Sequence, residues 1–242
     1  VKPVWCPGCG DYAVLSSITK AFADLGLQPH QTSVVSGIGC SSRIPAYTTT
    51  YGFHSIHGRA LAVGAGLKLA RPDLTVLVAG GDGDGFSIGG NPFGIIRRAD
   101  AVDFTEADWD ASAMAPPGGT GVTPFHPLAI ALASGANFIA RAFAGDPNGT
   151  AEIIAEGVRH PGFSFILVMS PCITYREDQR DWKSIVRPAG LEPARDPARA
   201  ARRLMTDDGF NIGILYRGSR PPFTRGKHAT ATVADLDSEF VA

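Results

Sequence analysis

The chain has 242 residues, 44% of them apolar, and a formal net charge of −1 at pH 7. That length and composition suit one large core, so we expect a single domain over residues 1–242, and the near-zero charge gives no electrostatic ground for nucleic-acid binding. Without an apolar run of the roughly 20 residues that cross a bilayer, or a signal pattern, we expect a soluble, cytoplasmic protein that does not contact membranes.

The first half of the chain alternates helical and strand patterns. Apolar residues at helical spacing predict a helix over residues 11–25, which Gly26 ends. Short apolar runs over 32–36 and 74–79 predict buried strands. A second helix is predicted between them, over 58–70. Because the sequence begins at Val1 and not at methionine, we also expect a native N-terminal stretch before it.

The same alternation continues through the second half. The pattern predicts helices over 127–135, 152–158 and 196–205. It predicts strands over 138–143, 163–169 and 211–216, so that each helix is followed by a strand. Strands that alternate with helices predict an α/β fold, with a mostly parallel central sheet and helices on both faces. Residues 99–123 give no clear pattern and are predicted to be irregular, and residues 221–242 are predicted to be an extended tail.

Four cysteines lie on glycine- or proline-bounded loops. Cys6 and Cys9 share a tight CxxC loop, and Cys40 and Cys172 each follow a predicted strand. Since ligands of parallel sheets bind at the carboxyl ends of strands, the fold could bring all four thiols together. Four sulfur ligands suit zinc or a [4Fe-4S] cluster, and the spacing does not separate the two. The alternatives are a thioredoxin-like redox pair and ordinary buried cysteines.

The loop Gly80-Gly81-Asp82-Gly83-Asp84-Gly85 follows the predicted strand at 74–79. Its amides could face a diphosphate while a carboxylate binds Mg²⁺, so we predict Asp82 as the metal ligand, with Gly83 and Asp84 lining the diphosphate. The alternative is a glycine-rich turn with solvated aspartates. No Lys-Ser/Thr pair follows the glycines, which excludes the phosphate loop of ATPases.

Several motifs together resemble one enzyme family, the beta subunits of 2-oxoacid:ferredoxin oxidoreductases. In chain order they are WCPGCGDY at 5–12, SGIGCS at 36–41, HSIHGRA at 54–60, the GDGDG loop, HPLA at 126–129 and SPC at 170–172. The resemblance covers most of the chain except the stretch after Arg98. The sequence is most similar to the 2-oxoglutarate branch of the family.

The resemblance implies a thiamine-diphosphate-binding fold and two cofactor sites. It makes the four cysteines, Cys6, Cys9, Cys40 and Cys172, the ligands of a [4Fe-4S] cluster, which favours iron-sulfur over zinc. It also implies that two segments contact thiamine diphosphate. The first is Ile38, Gly39, Cys40 and Ser41, and the second is Ser55, Ile56 and His57. Taken without the motif, His57 would more simply be a capping or packing histidine.

The implied reaction is thiamine-dependent oxidative decarboxylation of a 2-oxo acid to acyl-CoA and CO₂, with electrons passed singly through the cluster to ferredoxin. An alpha subunit would complete the thiamine pocket and bind coenzyme A. Arg43, three residues after Cys40, is a hypothetical partner for the distal carboxylate of 2-oxoglutarate, and its alternative is a surface arginine. Rival functions are a noncatalytic iron-sulfur subunit and a simple thiamine-dependent decarboxylase.

The sequence departs from the family in one region. Members follow the GDG loop with a strand ending in Asp-Asn, which supplies the second Mg²⁺ ligand, and the residues at 102–111 do not show it. The connection to His126 is also shorter than in the family. Three explanations fit: a remodelled loop with Asp110 as substitute ligand, a subunit that no longer binds thiamine, or a chain that omits residues.

Overall fold

The computed structural model describes residues 1–88, 126–172, 174 and 177–221. The predicted irregular stretch at 99–123, with Asp110, and the predicted tail beyond residue 221 lie outside the described residues. The predicted α/β class is confirmed: helices flank two sheets in which most strand pairs are parallel.

The first sheet has the order β2-β1-β3 and is parallel throughout. Its strands are β1 (Thr32–Ser36), β2 (Tyr51–His54) and β3 (Thr75–Ala79). β1 is buried along its whole length, as its Val34-Val35 pair predicts for a central parallel strand. β2 was not predicted, because all four of its residues are exposed at the sheet edge and its pattern is too short to read.

The second sheet has the order β5-β4-β7-β6. Its strands are β4 (Phe138–Phe143), β5 (Ser164–Met169), β6 (Arg187–Pro188) and β7 (Asn211–Arg217). β4 pairs in parallel with β5 and antiparallel with β7, so one pair departs from the parallel arrangement. The described strands therefore form two sheets where the sequence predicted one.

Five of the seven helices in the described residues lie close to predicted positions. In chain order the seven are α1 (Asp11–Asp24), α2 (Ile44–Tyr47), α3 (Ala60–Ala70), α4 (Pro127–Ala133), α5 (Pro147–Arg159), α6 (Trp182–Ile185) and α7 (Pro197–Met205). The two short helices α2 and α6 were not predicted. α1 ends as predicted, with Gly26 at a φ of 67°. α5 is longer than predicted, because Asp146 caps it by accepting a hydrogen bond from the Gly149 amide and Pro147 fits its first turn.

Two apolar clusters hold the layers together. One cluster joins α1 and α5 to both sheets, with Val34 and Ala79 from the first sheet and Ala142 and Val168 from the second. The other packs α4 and α7 on the opposite face of β4, around Ile139. β4 is therefore covered on both faces, which explains why its whole length is buried.

The fold places the predicted functional loops at strand ends. β1, β2 and β3 run parallel, so their carboxyl ends lie on the same side of the first sheet. The segments that begin at Gly37, Ser55 and Gly80 therefore leave the sheet on that side. The Cys172 segment leaves the carboxyl end of β5. Among the described residues, no helix is both long and apolar enough to cross a membrane.

Candidate functional site

One carboxylate oxygen joins three of the predicted cofactor segments. Asp84 Oδ1 accepts hydrogen bonds from the Ile38 amide at 3.0 Å, from His57 Nδ1 at 2.8 Å and from the Gly58 amide at 2.7 Å. The Asp84 side chain is only 2% exposed, whereas that of His57 is 43% exposed. Since a carboxylate accepts from Nδ1, the imidazole is fixed with its Nδ1 proton toward Asp84.

The contact between Gly37 and Asp84 requires a glycine. A Cβ built on Gly37 would lie 1.9 Å from Asp84 Oδ2, so any side chain here would push the Asp84 carboxylate out of its hydrogen bonds. Ser55 is buried beside this contact, and its amide donates to the Ser36 carbonyl at 2.7 Å. Ile56 in the same segment is 73% exposed, so its side chain faces outward from the loop.

A cavity of about 560 Å³ opens beside the Gly37–Cys40 loop. This is the size range of small-molecule sites. Its lining includes Ile38, Gly39, Arg43 and His54. The His54 ring contacts the Ser42 carbonyl through Nδ1 at 3.1 Å. Arg43, predicted from sequence as the substrate-binding cation, therefore lies at a cavity that also borders the predicted thiamine segment.

The glycine loop after β3 leaves room for a ligand. A Cβ on Gly83, or on Gly39 in the loop after β1, would meet no atom of the described residues within 4 Å, so these residues leave space beside both glycines. Asp82 is half-buried in this loop, and a π-helical turn, Gly83–Ile88, follows it. Asp84, predicted to line the diphosphate, instead turns its carboxylate inward between the loops, and its contact with a diphosphate stays a prediction.

A hydrogen bond links the N-terminal cysteine loop to the Cys40 loop. Trp5 Nε1 donates to the Cys40 carbonyl at 2.7 Å. The Trp5 ring is buried and makes edge contacts with Tyr12 and Tyr47 at centroid distances of 5.3 and 5.0 Å. Trp5 therefore fixes where the chain enters the CxxC loop, a role that its place in the motif did not reveal.

The N-terminal cysteine loop also packs against the Cys172 loop. The Gly10 amide donates to the Pro171 carbonyl at 3.1 Å, and Ser170 Oγ donates to Asp11 Oδ1 at 3.2 Å. A Cβ on Gly10 would lie 2.4 Å from Ser170 Oγ. Asp11 and Ser170 are 159 positions apart in sequence, so two distant loops are in direct contact here.

The electrostatics place three thiols in one neighbourhood. Burial raises the pKa of the Cys9 thiol to about 12, the Asp11 carboxylate adds to this, and Cys40 and Cys172 contribute smaller increases. All four cysteines are free, with Cys6 and Cys40 exposed and Cys9 and Cys172 half-buried. Among the described residues, no three His, Cys, Asp or Glu side chains are grouped tightly enough to hold one metal ion.

A glutamine that sequence reasoning missed holds the Cys172 loop. Gln179 Oε1 accepts a hydrogen bond from the Cys172 amide at 2.7 Å. Gln179 is buried, and its Nε2 has no hydrogen-bond partner within the described ranges. The buried Oγ of Ser41, next to Cys40, is equally unpaired there. No sequence pattern marked Gln179, because it contacts the site through a backbone amide.

Comparison with known proteins gives a consistent result. Residues 37–105 match the family described as "Thiamine pyrophosphate enzyme, C-terminal TPP binding domain". The chain is 39% identical over 194 residues to the 2-oxoglutarate oxidoreductase subunit KorB of Mycobacterium tuberculosis, an alignment that covers 73% of this chain and 52% of that protein. This chain therefore spans about half the length of that relative.

Other relatives match over more of their length. The chain is 33% identical over 268 residues to the 2-oxoacid:ferredoxin oxidoreductase subunit beta of a Sulfolobus species, which covers 96% of this chain and 88% of that protein. Because this alignment is longer than the 242 residues of this chain, the relative has residues without a counterpart here. The predicted shorter connection before His126 would account for such a difference.

A solved structure extends the similarity to three dimensions. The 2-oxoglutarate:ferredoxin oxidoreductase from Magnetococcus marinus, with 2-oxoglutarate, coenzyme A and succinyl-CoA bound, superposes with a TM-score of 0.80 at 34% identity. The superposition covers 92% of this chain and 84% of that chain. Together with the family match, it confirms the thiamine-diphosphate-binding fold that the sequence motifs implied.

Proposed function

Because this chain belongs to the family of 2-oxoacid:ferredoxin oxidoreductase beta subunits, we propose that it binds the thiamine diphosphate and a [4Fe-4S] cluster of such an enzyme. The enzyme would convert a 2-oxo acid, foremost 2-oxoglutarate, with coenzyme A into acyl-CoA and CO₂, and would pass electrons to ferredoxin. The activity is proposed from the names of the relatives. The roles of individual residues are proposed from their positions in this chain.

One observation carries the proposal: the Gly37–Cys40 loop connects both candidate cofactor sites. On one side, its Ile38 amide is held by Asp84 of the glycine loop. On the other side, the Cys40 carbonyl accepts a hydrogen bond from Trp5 of the CxxC loop. A loop fixed at both ends in this way keeps the two sites adjacent, which a direct transfer of single electrons requires.

The described residues fit thiamine diphosphate with Mg²⁺. Asp82 would supply one carboxylate, and Mg²⁺ commonly binds one or two carboxylates together with phosphate oxygens and water. The open backbone at Gly39 and Gly83 would let the ligand approach closely. When bound, thiamine supplies the nucleophilic carbon that adds to the 2-oxo carbon and the electron sink for decarboxylation.

The cysteine loops fit a cluster better than a single ion. Cys9 is close enough to Cys40 and Cys172 for their charges to raise its pKa, yet no three described ligand side chains meet at one point as zinc would need. A [4Fe-4S] cluster places its thiolates on separate irons and so suits wider spacing. When bound, it supplies a one-electron acceptor, and Cys6, Cys9, Cys40 and Cys172 would hold it.

An exposed apolar surface beside the site fits an alpha subunit. The β2 surface, which we define as the outward side chains of Tyr51 and Phe53, lies on a strand that has no outer neighbour among the described strands, and these residues are 56% and 51% exposed. Ile38 and Ile56 are exposed nearby, on the cofactor loops.

Free thiols and an iron-sulfur cluster would place the complex in a reducing compartment, which we propose is the cytoplasm.

Arg43 gives the proposed substrate a testable feature. A guanidinium at the cavity could pair with the distal carboxylate of 2-oxoglutarate, which pyruvate lacks. We expect Arg43→Ala to raise KM for 2-oxoglutarate roughly tenfold or more, as for loss of a charge-assisted hydrogen bond, and to leave KM for pyruvate unchanged. Arg71→Ala, on the surface after α3, is the control, and equal losses on both substrates would contradict the specificity role.

The proposed function is tested on the complex of this chain with its alpha subunit, purified without oxygen. We expect iron, acid-labile sulfide and thiamine in the complex, and ferredoxin reduction that depends on both 2-oxoglutarate and coenzyme A. Iron and sulfide without thiamine or turnover would instead identify a noncatalytic iron-sulfur subunit. A colourless complex with zinc would refute the cluster.

A further inference from the structure

Gln179 has an unused hydrogen-bond donor in a place where donors are usually paired. The residue lies in the 3₁₀ turn Glu177–Asp181 and is 1% exposed. Its Oε1 accepts from the Cys172 amide at 2.7 Å, while no atom among the described residues accepts from its Nε2. A buried carboxamide with an unpaired NH₂ group is unfavourable unless something else accepts a hydrogen bond from it.

The orientation of this carboxamide is fixed by its partner. Turning it over would put the NH₂ group against the Cys172 N–H, two donors facing each other. The Nε2 atom is bonded to the same carbon as Oε1, so it lies in the immediate neighbourhood of Cys172. A ligand held by Cys172 therefore lies within reach of Nε2.

The unpaired donor coincides with the candidate cluster site. Three buried side-chain atoms have no partner within the described part of the chain: Ser41 Oγ, Gln179 Nε2 and His160 Nε2. Ser41 follows Cys40 directly, and Gln179 binds the Cys172 amide, so two of the three flank proposed cluster ligands. His160 is elsewhere, beside Phe138 at the end of α5.

We propose that Gln179 donates a hydrogen bond from Nε2 to an inorganic sulfide of the cluster and thereby raises the reduction potential of the cluster. The inference rests on the proposed function, because it needs the cluster. An N–H donor stabilises the more negative, reduced state of a cluster more than the oxidised state. Oε1 meanwhile positions Cys172, so one side chain both holds a ligand and tunes the electron acceptor.

Two variants remove the Nε2 donor, one together with the Oε1 acceptor and one without it. Gln179→Met is uncharged and similar in length, and it removes both atoms. Gln179→Glu keeps an oxygen acceptor for the Cys172 amide and removes the NH₂ donor. In the anaerobically purified complex, we expect both variants to retain iron and sulfide and to show a cluster midpoint potential shifted below that of the wild type. Gln28→Met, on the exposed turn before β1, is the control and should leave the potential unchanged.

A direct spectroscopic test uses the scarcity of glutamine in this chain. Gln28 and Gln31, the other two glutamines, lie before the amino end of β1, at the edge opposite to the cysteine loops. With ¹⁵N on glutamine side chains, pulsed EPR of the reduced wild-type cluster should show a ¹⁵N coupling that Gln179→Met loses. This measurement on the wild type still decides the question if both variants fail to fold or lose iron.

The outcomes distinguish the inference from the proposed function. A wild-type complex without iron and sulfide would refute the proposed cluster itself. A complete cluster with the same potential in the wild type and in Gln179→Met, or without a glutamine ¹⁵N coupling, would refute only the role of Gln179.

Discussion

At the scale of single residues, Asp84 does more to organise the site than the sequence indicated. Its three hydrogen-bond donors come from residues 26 to 46 positions away in the chain. Spacing in the GDGDG loop could show that a carboxylate was present, but not that it would turn inward. Which partners meet Asp84 depends on β1, β2 and β3 being parallel, so only the fold reveals this role.

The acceptor role of Asp84 can be separated from its charge. Asp84→Asn keeps an Oδ1 atom that accepts from the same three donors, whereas Asp84→Ala leaves them unpaired, at about 1–3 kcal/mol for each buried donor. We expect Asp84→Ala to weaken thiamine diphosphate binding by roughly tenfold or more, and Asp84→Asn to recover most of this loss. Calorimetric titration of the complex with thiamine diphosphate and Mg²⁺ measures both.

The matched control for this carboxylate is Asp73→Ala. Asp73 pairs with Arg71 at an exposed position before β3, at the end of the strand opposite to the glycine loop. It should bind thiamine diphosphate as tightly as the wild type. If Asp84→Asn were as weak as Asp84→Ala, the negative charge and not the acceptor geometry would be the essential property.

The sequence could predict the features of the candidate site that are marked by residue type. It could not predict the features that depend on contacts between distant residues. Four cysteines in tight loops and a GDG loop after a strand indicate metal and diphosphate chemistry, because few other residues supply such ligands. Trp5 and Gln179 act through hydrogen bonds to backbone atoms of Cys40 and Cys172. Any donor or acceptor could occupy such positions, so their residue type carries no local signal.

At the scale of elements, the junction between the CxxC loop and the Cys172 loop holds together two distant parts of the chain. The junction consists of Gly10 against Pro171 and of Asp11 against Ser170. Both contacts lie at the start of α1, which packs on α5. The position of this helix therefore determines whether the cysteines of the two loops face one another.

Gly10→Ala is expected to open this junction. The new Cβ would lie 2.4 Å from Ser170 Oγ and 2.9 Å from Pro171 Cδ, and overpacking of this kind destabilises by about 1–3 kcal/mol. We expect a lower melting temperature and a lower iron content in the purified complex. Thermal unfolding and iron analysis measure the two effects.

The control for this substitution lies in the interior of α3. A Cβ on Gly66 would meet no atom of the part of the chain that the structure describes within 4 Å, and alanine favours a helix interior over glycine by about 1 kcal/mol. Gly66→Ala should therefore keep the iron content and unfold at the same or a higher temperature. An iron content in Gly10→Ala equal to that in Gly66→Ala would show that the junction does not position the cysteines.

The elements themselves were predictable to the extent that they are buried. Apolar runs gave β1, β4 and β5 almost residue for residue, because these strands are covered by helices. β2 was missed, since its apolar residues face outward at the sheet edge. The antiparallel pairing of β7 with β4 also escaped the prediction, because a strand pattern does not contain the direction of its neighbours.

At the scale of the whole molecule, the β2 surface stands out because it is apolar and exposed beside the cofactor loops. Residues two apart on a strand share a face, so Tyr51 and Phe53 point the same way, while Gly52 packs against Pro45 on the other face. Large exposed side chains on an unpaired edge strand commonly mark an interaction site. The proposed alpha subunit is the partner that the relatives' subunit names imply.

Phe53→Ser tests this assignment without touching a proposed cofactor ligand. Loss of a central aromatic contact commonly weakens an interface by about 2 kcal/mol or more, which corresponds to roughly thirtyfold in affinity. We expect the variant complex to dissociate at much lower dilution than the wild-type complex, as measured by analytical ultracentrifugation. The melting temperature of this chain should change little, because the Phe53 side chain is already exposed. Leu191→Ser, at an exposed apolar residue outside the β2 surface, is the matched control. If the two variants bound the alpha subunit equally well, the β2 surface would not be the interface.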